Sequence, residues 1–300
     1  MKADIKYLER KNCLICGGAD LTKIRDIYDW DSKLGSFSLL SCPCGMFFTS
    51  PYPAEESLPA LYAAHALARN LDAGGNALFK KLKAALIRRG IKKCAGYFPK
   101  GKIIFADIGT GLARVPVAMR EMFPGADITC TDFGPRPAAL NAPGLEKIKY
   151  LHNDEFFKSA EKYNIIMLHH VIEHAPDPQI FLKRVMAKLS ADGILIIETP
   201  NIKSAMSGLF GKYSSNYNPP YHICHFTRGN MKSLVDKSGY DIALLSQAAQ
   251  PLMSNIAANF FGAELNNFFR FIGIALHPAQ ILLSLLTGEK ETLFVIVKHK

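Results

Sequence analysis

The chain has 300 residues, 49% apolar and 21% charged, which supplies a sizeable core and excludes disorder as its main state. Lys and Arg number 36 against 26 Asp and Glu, a formal charge of +10, and nine basic residues with no acidic one fall within 76–102. Such a block implies an anionic partner (phosphate on a small substrate, a nucleic acid or a lipid surface) or simply a solvated helix face. The first twelve residues carry six charges and no apolar run, so no secretory signal is expected, and a reducing, cytoplasmic setting is.

Residues 1–55 hold four of the seven cysteines. Cys13-Leu-Ile-Cys16 and Cys42-Pro-Cys44 offer four thiolates in two close pairs, as a tetrahedral Zn²⁺ needs from two facing turns. Gly17 and Gly45 follow each pair, where tight knuckles need positive φ. Redox thiols or incidental buried cysteines are the competing readings. A closed four-thiolate site keeps no open position, so its role would be folding rather than chemistry. This zinc-ribbon-like module ends in the turn-forming Ser50-Pro51-Tyr52-Pro53.

Residues 56–100 read as a helical lead-in that turns basic after Gly74-Gly75, with Leu78, Leu82 and Leu86 as an apolar stripe. From Gly101 onward short β-rich runs alternate with longer amphipathic ones, the pattern of an α/β Rossmann-like, doubly wound sheet. The runs at 102–106, 126–131, 164–168 and 193–199 each end in polar residues, notably Asp107, Asp132, His169 and His170, and Glu198. Open α/β sheets bind ligands at those strand ends. Further strands are expected at 241–246 and 291–298, with a helix at 228–238 closed by Gly239.

The run Asp107-Ile-Gly109-Thr110-Gly111-Leu-Ala113 is a strand entering a glycine turn that opens a helix. Arg114 occupies the place of the third glycine of a dinucleotide fingerprint, which disfavours a pyrophosphate cradle. Asp132 lies 21 residues after Gly111 at the end of the next run, where an acid accepts hydrogen bonds from ribose hydroxyls. Together they select an adenosyl ligand without phosphates.

With these residues the chain resembles the class I S-adenosylmethionine-dependent methyltransferases. The segment Leu168-His-His-Val-Ile-Glu173-His174 and the run Asp192–Asn201 are similar to the branch holding ubiquinone-pathway and sugar methyltransferases. The resemblance implies a mixed seven-stranded sheet over residues 101–300, S-adenosylmethionine as cofactor and an N-terminal zinc module. It places Asp107, Gly109, Thr110, Gly111, Asp132, Phe133, Asp154 and His169 at the cofactor.

A sulfonium methyl is already activated, so the enzyme must mainly align donor and nucleophile and exclude water. A base is needed only where the nucleophile carries a proton, and histidine suits that role near neutral pH. Tyr221-His222-Ile-Cys-His225-Phe-Thr resembles the late motif of the same family, and His222 is the closest match to its histidine, ahead of His225. By the same resemblance Glu173 and His174 serve as acid–base groups, fasten the loop beside the cofactor, or bind a divalent metal.

Residues 260–288 form an apolar helical insertion interrupted by Arg270, His277, Pro278 and Gln280. Two short helices joined at Pro278 are expected, packing on the domain, pairing in a homodimer or resting on a membrane surface. The expected acceptor is small and anionic: a sugar, or a nucleotide-linked or lipid-linked glycan precursor. An rRNA methyltransferase is the first alternative, but nucleic acid is disfavoured because the seven basic residues of the cysteine module are balanced by seven acidic ones. The second is a non-catalytic partner protein that keeps the fold.

Overall fold

The computed structural model describes residues 5–62 and 77–300. The expected Gly74-Gly75 break and the side chain of Leu78 lie outside the described residues. The strands are β1 (Tyr7–Leu8), β2 (Thr22–Tyr28), β3 (Ser36–Ser41), β4 (Phe47–Ser50), β5 (Tyr52–Pro53), β6 (Ile104–Ile108), β7 (Asp127–Asp132), β8 (Lys149–His152), β9 (Tyr163–His169), β10 (Leu189–Pro200), β11 (Cys224–His225), β12 (Asp241–Ala248) and β13 (Thr292–Lys298). The basic lead-in forms helix α1 (Ala77–Cys94), and α2 (Arg114–Met122) follows the glycine turn.

Seven strands form one sheet in the order β12-β13-β10-β9-β6-β7-β8. All neighbours from β10 to β8 pair in parallel, and β13 runs antiparallel between β10 and β12. The central strands are buried on both faces, which is why Ile165–Leu168, Ile194–Ile197 and Leu293–Val297 read as unbroken apolar runs rather than alternating ones. Because β6, β7, β9 and β10 are parallel, Asp107, Asp132, His169 and Glu198 all arrive at one edge. Short helices α3 (Asn153–Lys158) and α4 (Pro178–Met186) follow β8 and β9. Asp177 caps α4 by accepting from Gln179 N and Ile180 N, both at 2.9 Å.

The N-terminal sheet is not self-contained. Its order is β11-β4-β3-β2, so two residues from the far side of the chain complete it. Thr49 Oγ1 donates to the His222 carbonyl at 2.6 Å, and so accepts from His225 Nε2 at 2.9 Å. Asn230 reaches the Gly45 carbonyl and Lys237 the Ile15 carbonyl. The cysteine module is thereby bolted to the loop that carries the late histidines.

Helix α5 (Ala205–Phe210) precedes β11 and α6 (Arg228–Lys237) follows it, capped by Thr227 and Asn230. The apolar insertion folds as a hairpin of α7 (Met253–Phe260) and α8 (Asn267–Thr287). The break expected at Pro278 is therefore absent; α8 runs through it, and the chain reverses at 261–266 instead. Pro278 is exposed and gives no N–H to the Ile274 carbonyl, and packing against α7 holds the helix together. Gly273 makes that packing close: a Cβ there would lie 1.8 Å from Ser254 Oγ.

Candidate active site

The glycine turn is fixed from beneath by β7. Gly109 N and Thr110 N both donate to the Thr131 carbonyl, at 2.8 and 3.1 Å. Gly111 N donates to Asp132 Oδ2 at 2.7 Å, and Phe133 N to Asp132 Oδ1 at 2.7 Å. A carboxylate offers about four acceptor positions, so Asp132 keeps capacity for the hydroxyls of a ribose. Gly109 has φ +72, and a Cβ there would lie 2.7 Å from Val171 Cγ2. Ala113 takes the left-handed conformation (φ 57) without being glycine. Asp107 is buried, and burial pushes its carboxyl up to about 7, with the Thr110 hydroxyl opposing and the Asp132 charge adding to the rise.

A cavity of about 1010 Å³ opens beside this turn. Its walls include Asp107, Gly109, Thr110 and Gly111, the strand-end residues His169, His170 and Glu198, Arg89 and Lys92 of α1, and His277 and Leu285 of α8. The volume suits a cofactor with room for an acceptor. Phe133 is half exposed beyond Asp132, and its ring stacks on Tyr62 with centroids 6.2 Å apart. Asp154 stands elsewhere: it is exposed on the first turn of α3 and lines a separate 530 Å³ cavity with Phe157 and Arg184. Its neighbour Asn153 accepts from Thr131 Oγ1 at 2.7 Å and so faces the end of β7. One step along a helix rotates the side chain by about 100°, which turns the two side chains in different directions.

Two groups of titratable side chains lie over the strand ends. In the first, His169 Nε2 is 3.6 Å from Glu198 Oε2, and Gln250 Nε2 donates to Glu198 Oε1 at 2.5 Å. Burial lowers the His169 imidazole to about 4 despite the Glu198 charge. In the second, Glu173, His174 and His222 bring their ligand atoms within 4.8 Å of one another. His170 joins them: its Nδ1 is 3.3 Å from Glu173 Oε1, while Thr199 Oγ1 donates to Glu173 Oε2 at 2.9 Å. Burial alone would raise Glu173, yet the His170 hydrogen bond and the nearby imidazoles outweigh it and hold the carboxyl at about 2. For His170 burial works against the charged form, and Glu173 reverses that, raising it.

The tautomers of the second group are set by the backbone. His174 Nδ1 meets the Tyr221 carbonyl at 2.8 Å and His222 Nδ1 the Asn216 carbonyl at 2.9 Å. A carbonyl only accepts, so each Nδ1 carries the proton and each Nε2 presents a lone pair. Burial lowers His174, and lowers His222 to about 4. Two such imidazoles beside a carboxylate can accept a proton, or hold a divalent cation in the two-His, one-carboxylate manner. Tyr62 closes this group from above, 5.7 Å from His174 and 6.0 Å from Tyr221 by ring centroids. The structure thus brings Glu173, His174 and His222 together and leaves His225 out, committed to Thr49 and lowered to about 3 by burial. Neither Tyr62 nor Gln250 carried a signal in the sequence, since each reaches the site from a segment remote in the chain.

The four thiols form a third site. Cys13 Sγ lies 3.5 Å from Cys44 Sγ, Cys16 Sγ 3.5 Å from Cys42 Sγ, and all four lie within 4.8 Å of one another. A tetrahedron with Zn–S bonds of about 2.3 Å has sulfurs about 3.8 Å apart, so the set fits that ion. Gly17 (φ 76) and Gly45 (φ 88) adopt the left-handed knuckle geometry. The Gly18 N–H and the adjoining thiols draw the Cys16 thiol down to about 7.

Residues 78–245 match the family model described as a methyltransferase domain. The chain belongs to that family. Among curated proteins, methyltransferase str2 of Strobilurus tenacellus is 26% identical over 103 residues, which is 34% of this chain and 38% of that protein. Among solved structures, the chain is similar to the 1,6-didemethyltoxoflavin-N1-methyltransferase of Burkholderia thailandensis, crystallised with its substrate and S-adenosylhomocysteine (TM-score 0.55, 12% identity, covering 88% of this chain and 96% of that one). It is also similar to the magnesium protoporphyrin IX methyltransferase of Synechocystis PCC 6803 with bound S-adenosylhomocysteine (TM-score 0.54, 10% identity, 82% and 100%). At such identities the likeness establishes the shared fold.

Proposed function

We propose that the chain transfers a methyl group from S-adenosylmethionine to a small anionic acceptor of the sugar, nucleotide-linked or lipid-linked glycan precursor class. The observation that carries this is the glycine turn at 109–111 clasped by Asp132, at the strand ends of the sheet and within the residues that match the methyltransferase-domain family. S-adenosylmethionine would supply the electrophilic methyl. Asp132 would hold its ribose and the turn its backbone edge, while His169 and Glu198 line the adjoining cavity wall. The anionic character of the acceptor is supported by Arg89 and Lys92 of α1, which face the same cavity.

His222 lies outside the lining of that cavity, beyond His170, which lines it and meets Glu173; in this reading His222 takes the acceptor proton on Nε2, and Glu173 stabilises the imidazolium that results. His222→Ala is expected to lower turnover roughly 100-fold while leaving S-adenosylmethionine affinity by calorimetry nearly unchanged. Equal loss of both would assign the residue to structure. Because His222 is held near 4, its proton-accepting form persists well below the ordinary 6.5. The acid limb of kcat/KM should fall correspondingly low.

The four cysteines are proposed to bind one structural Zn²⁺. Purified protein is expected to carry stoichiometric zinc by atomic absorption, and Cys42→Ser to lose it together with the N-terminal part of the thermal transition. A zinc-free wild type that unfolds identically with and without chelator would remove the site.

A further inference from the structure

The helix α8 is amphipathic in the wrong sense for a soluble domain. Its buried positions include Gly273, Gln280 and Ser284, and its outward face carries Phe268, Phe271, Ile274, Leu282, Leu285 and Leu286, with Leu286 75% exposed. The inward side is held by polar bonds: Gln280 Oε1 accepts from Leu252 N at 3.2 Å, Gln280 Nε2 donates to the Gln250 carbonyl, and Ser284 hydrogen-bonds Glu291 at 2.8 Å. Phe260 and Phe261 at the hairpin tip are also exposed. A contiguous apolar face of this kind marks a binding surface.

We infer that the α7–α8 hairpin docks on an anionic lipid bilayer, lying in its interface, and that the acceptor enters the 1010 Å³ cavity from that surface. Alpha8 is long and apolar enough to cross a membrane by length and composition. Its inward polar bonds tie it along the body of the domain instead, the arrangement of an interfacial helix.

Charge decides between a bilayer and a second copy. Arg89 and Lys92 of the basic helix α1 share the cavity wall with His277, Ile281 and Leu285 of α8, so cationic groups flank the apolar face. A bilayer complements both parts, its anionic headgroups the cations and its acyl chains the apolar face. A twofold pairing of hairpins would instead lay each copy's basic flank beside the other's. The cavity between a basic and an apolar helix fits an amphiphile with an anionic head. His277 agrees with this: it lines the cavity, and its buried Nδ1 has no partner among the described residues. That the amphiphile is the methyl acceptor rests on the methyl-transfer reading; the docking does not.

The test is flotation of the full-length protein with vesicles of phosphatidylcholine, with or without roughly one-third phosphatidylglycerol. The expected result is partition about tenfold or more higher on the anionic vesicles, weakened by salt. Leu282→Glu combined with Leu286→Glu should reduce it about tenfold or more, with the thermal transition and S-adenosylmethionine affinity of the wild type retained. No binding to either vesicle overturns the proposal. So does a wild-type dimer in sedimentation equilibrium that the double variant dissociates. Cofactor affinity measured without vesicles reports on methyl transfer separately, so the two readings fail independently.

Discussion

Glu173→Ala is expected to destabilise the protein by roughly 3 kcal/mol and to abolish turnover. The carboxylate is buried, accepts from Thr199, meets His170 and stands among the rings of His174 and His222. Its removal strands a buried hydroxyl and withdraws the one anion that these imidazoles share. For a chain of this size the thermal midpoint should fall by roughly 5 °C. Glu173→Gln keeps the partner for Thr199 and loses only the charge, so it should recover much of the stability and lower the titration of His170. An NMR titration of His170 unchanged in Glu173→Gln would sink this account.

The same group sets the acid stability. Glu173 is held at about 2, below its ordinary 4.5, so its contribution is complete above 4.5 and is lost as pH falls toward 2. His169 and His222 are held at about 4, below 6.5, so their unfolded forms bind protons first, and stability is lost as pH falls from 6.5 toward 4. Asp107 opposes them. Raised to about 7 from 3.8, it favours the fold at low pH and loses that contribution as pH rises through 7. Thermal midpoints of the wild type should therefore begin to drop below about pH 6.5, and Glu173→Gln should lack the further loss below 4.5.

Gly109→Ala is expected to weaken S-adenosylmethionine binding by roughly 100-fold. The left-handed backbone costs a Cβ-bearing residue about 1–2 kcal/mol, and contact with Val171 at 2.7 Å adds about 1–3 kcal/mol unless the turn shifts. Any such shift moves Thr110 and Gly111 off the Thr131 and Asp132 acceptors that shape the turn. Gly111→Ala provides the contrast, because its φ is +49 but its Cβ position is open. It should pay the backbone cost alone, with about tenfold loss. Wild-type calorimetric affinity in both variants would show that the turn does not contact the cofactor.

Much of the sheet was legible because its signals are local. Apolar runs at 164–168 and 193–199 became β9 and β10, the glycine turn fell between β6 and α2, and Gly239 followed the end of its helix as its chemistry requires. The site was only partly legible. Asp132 and the Glu173-His174 pair sat on recognisable motifs, while one residue of helical phase turns Asn153 toward the end of β7 and Asp154 toward a separate cavity. Tyr62 and Gln250 gave no sign of themselves.

Sequence alone determined the class of sheet, the adenosyl-type turn and the two thiol pairs, because short-range spacing and strand-end placement follow from backbone geometry. Tertiary structure decided the rest. It separated His222 from His225 by giving one a free Nε2 beside Glu173 and the other a hydroxyl of the cysteine module. It also carried α8 unbroken through Pro278 and turned its apolar face outward. Those outcomes depend on which distant segments share a surface, and hydrogen bonds and packing across such segments leave no periodicity in the chain.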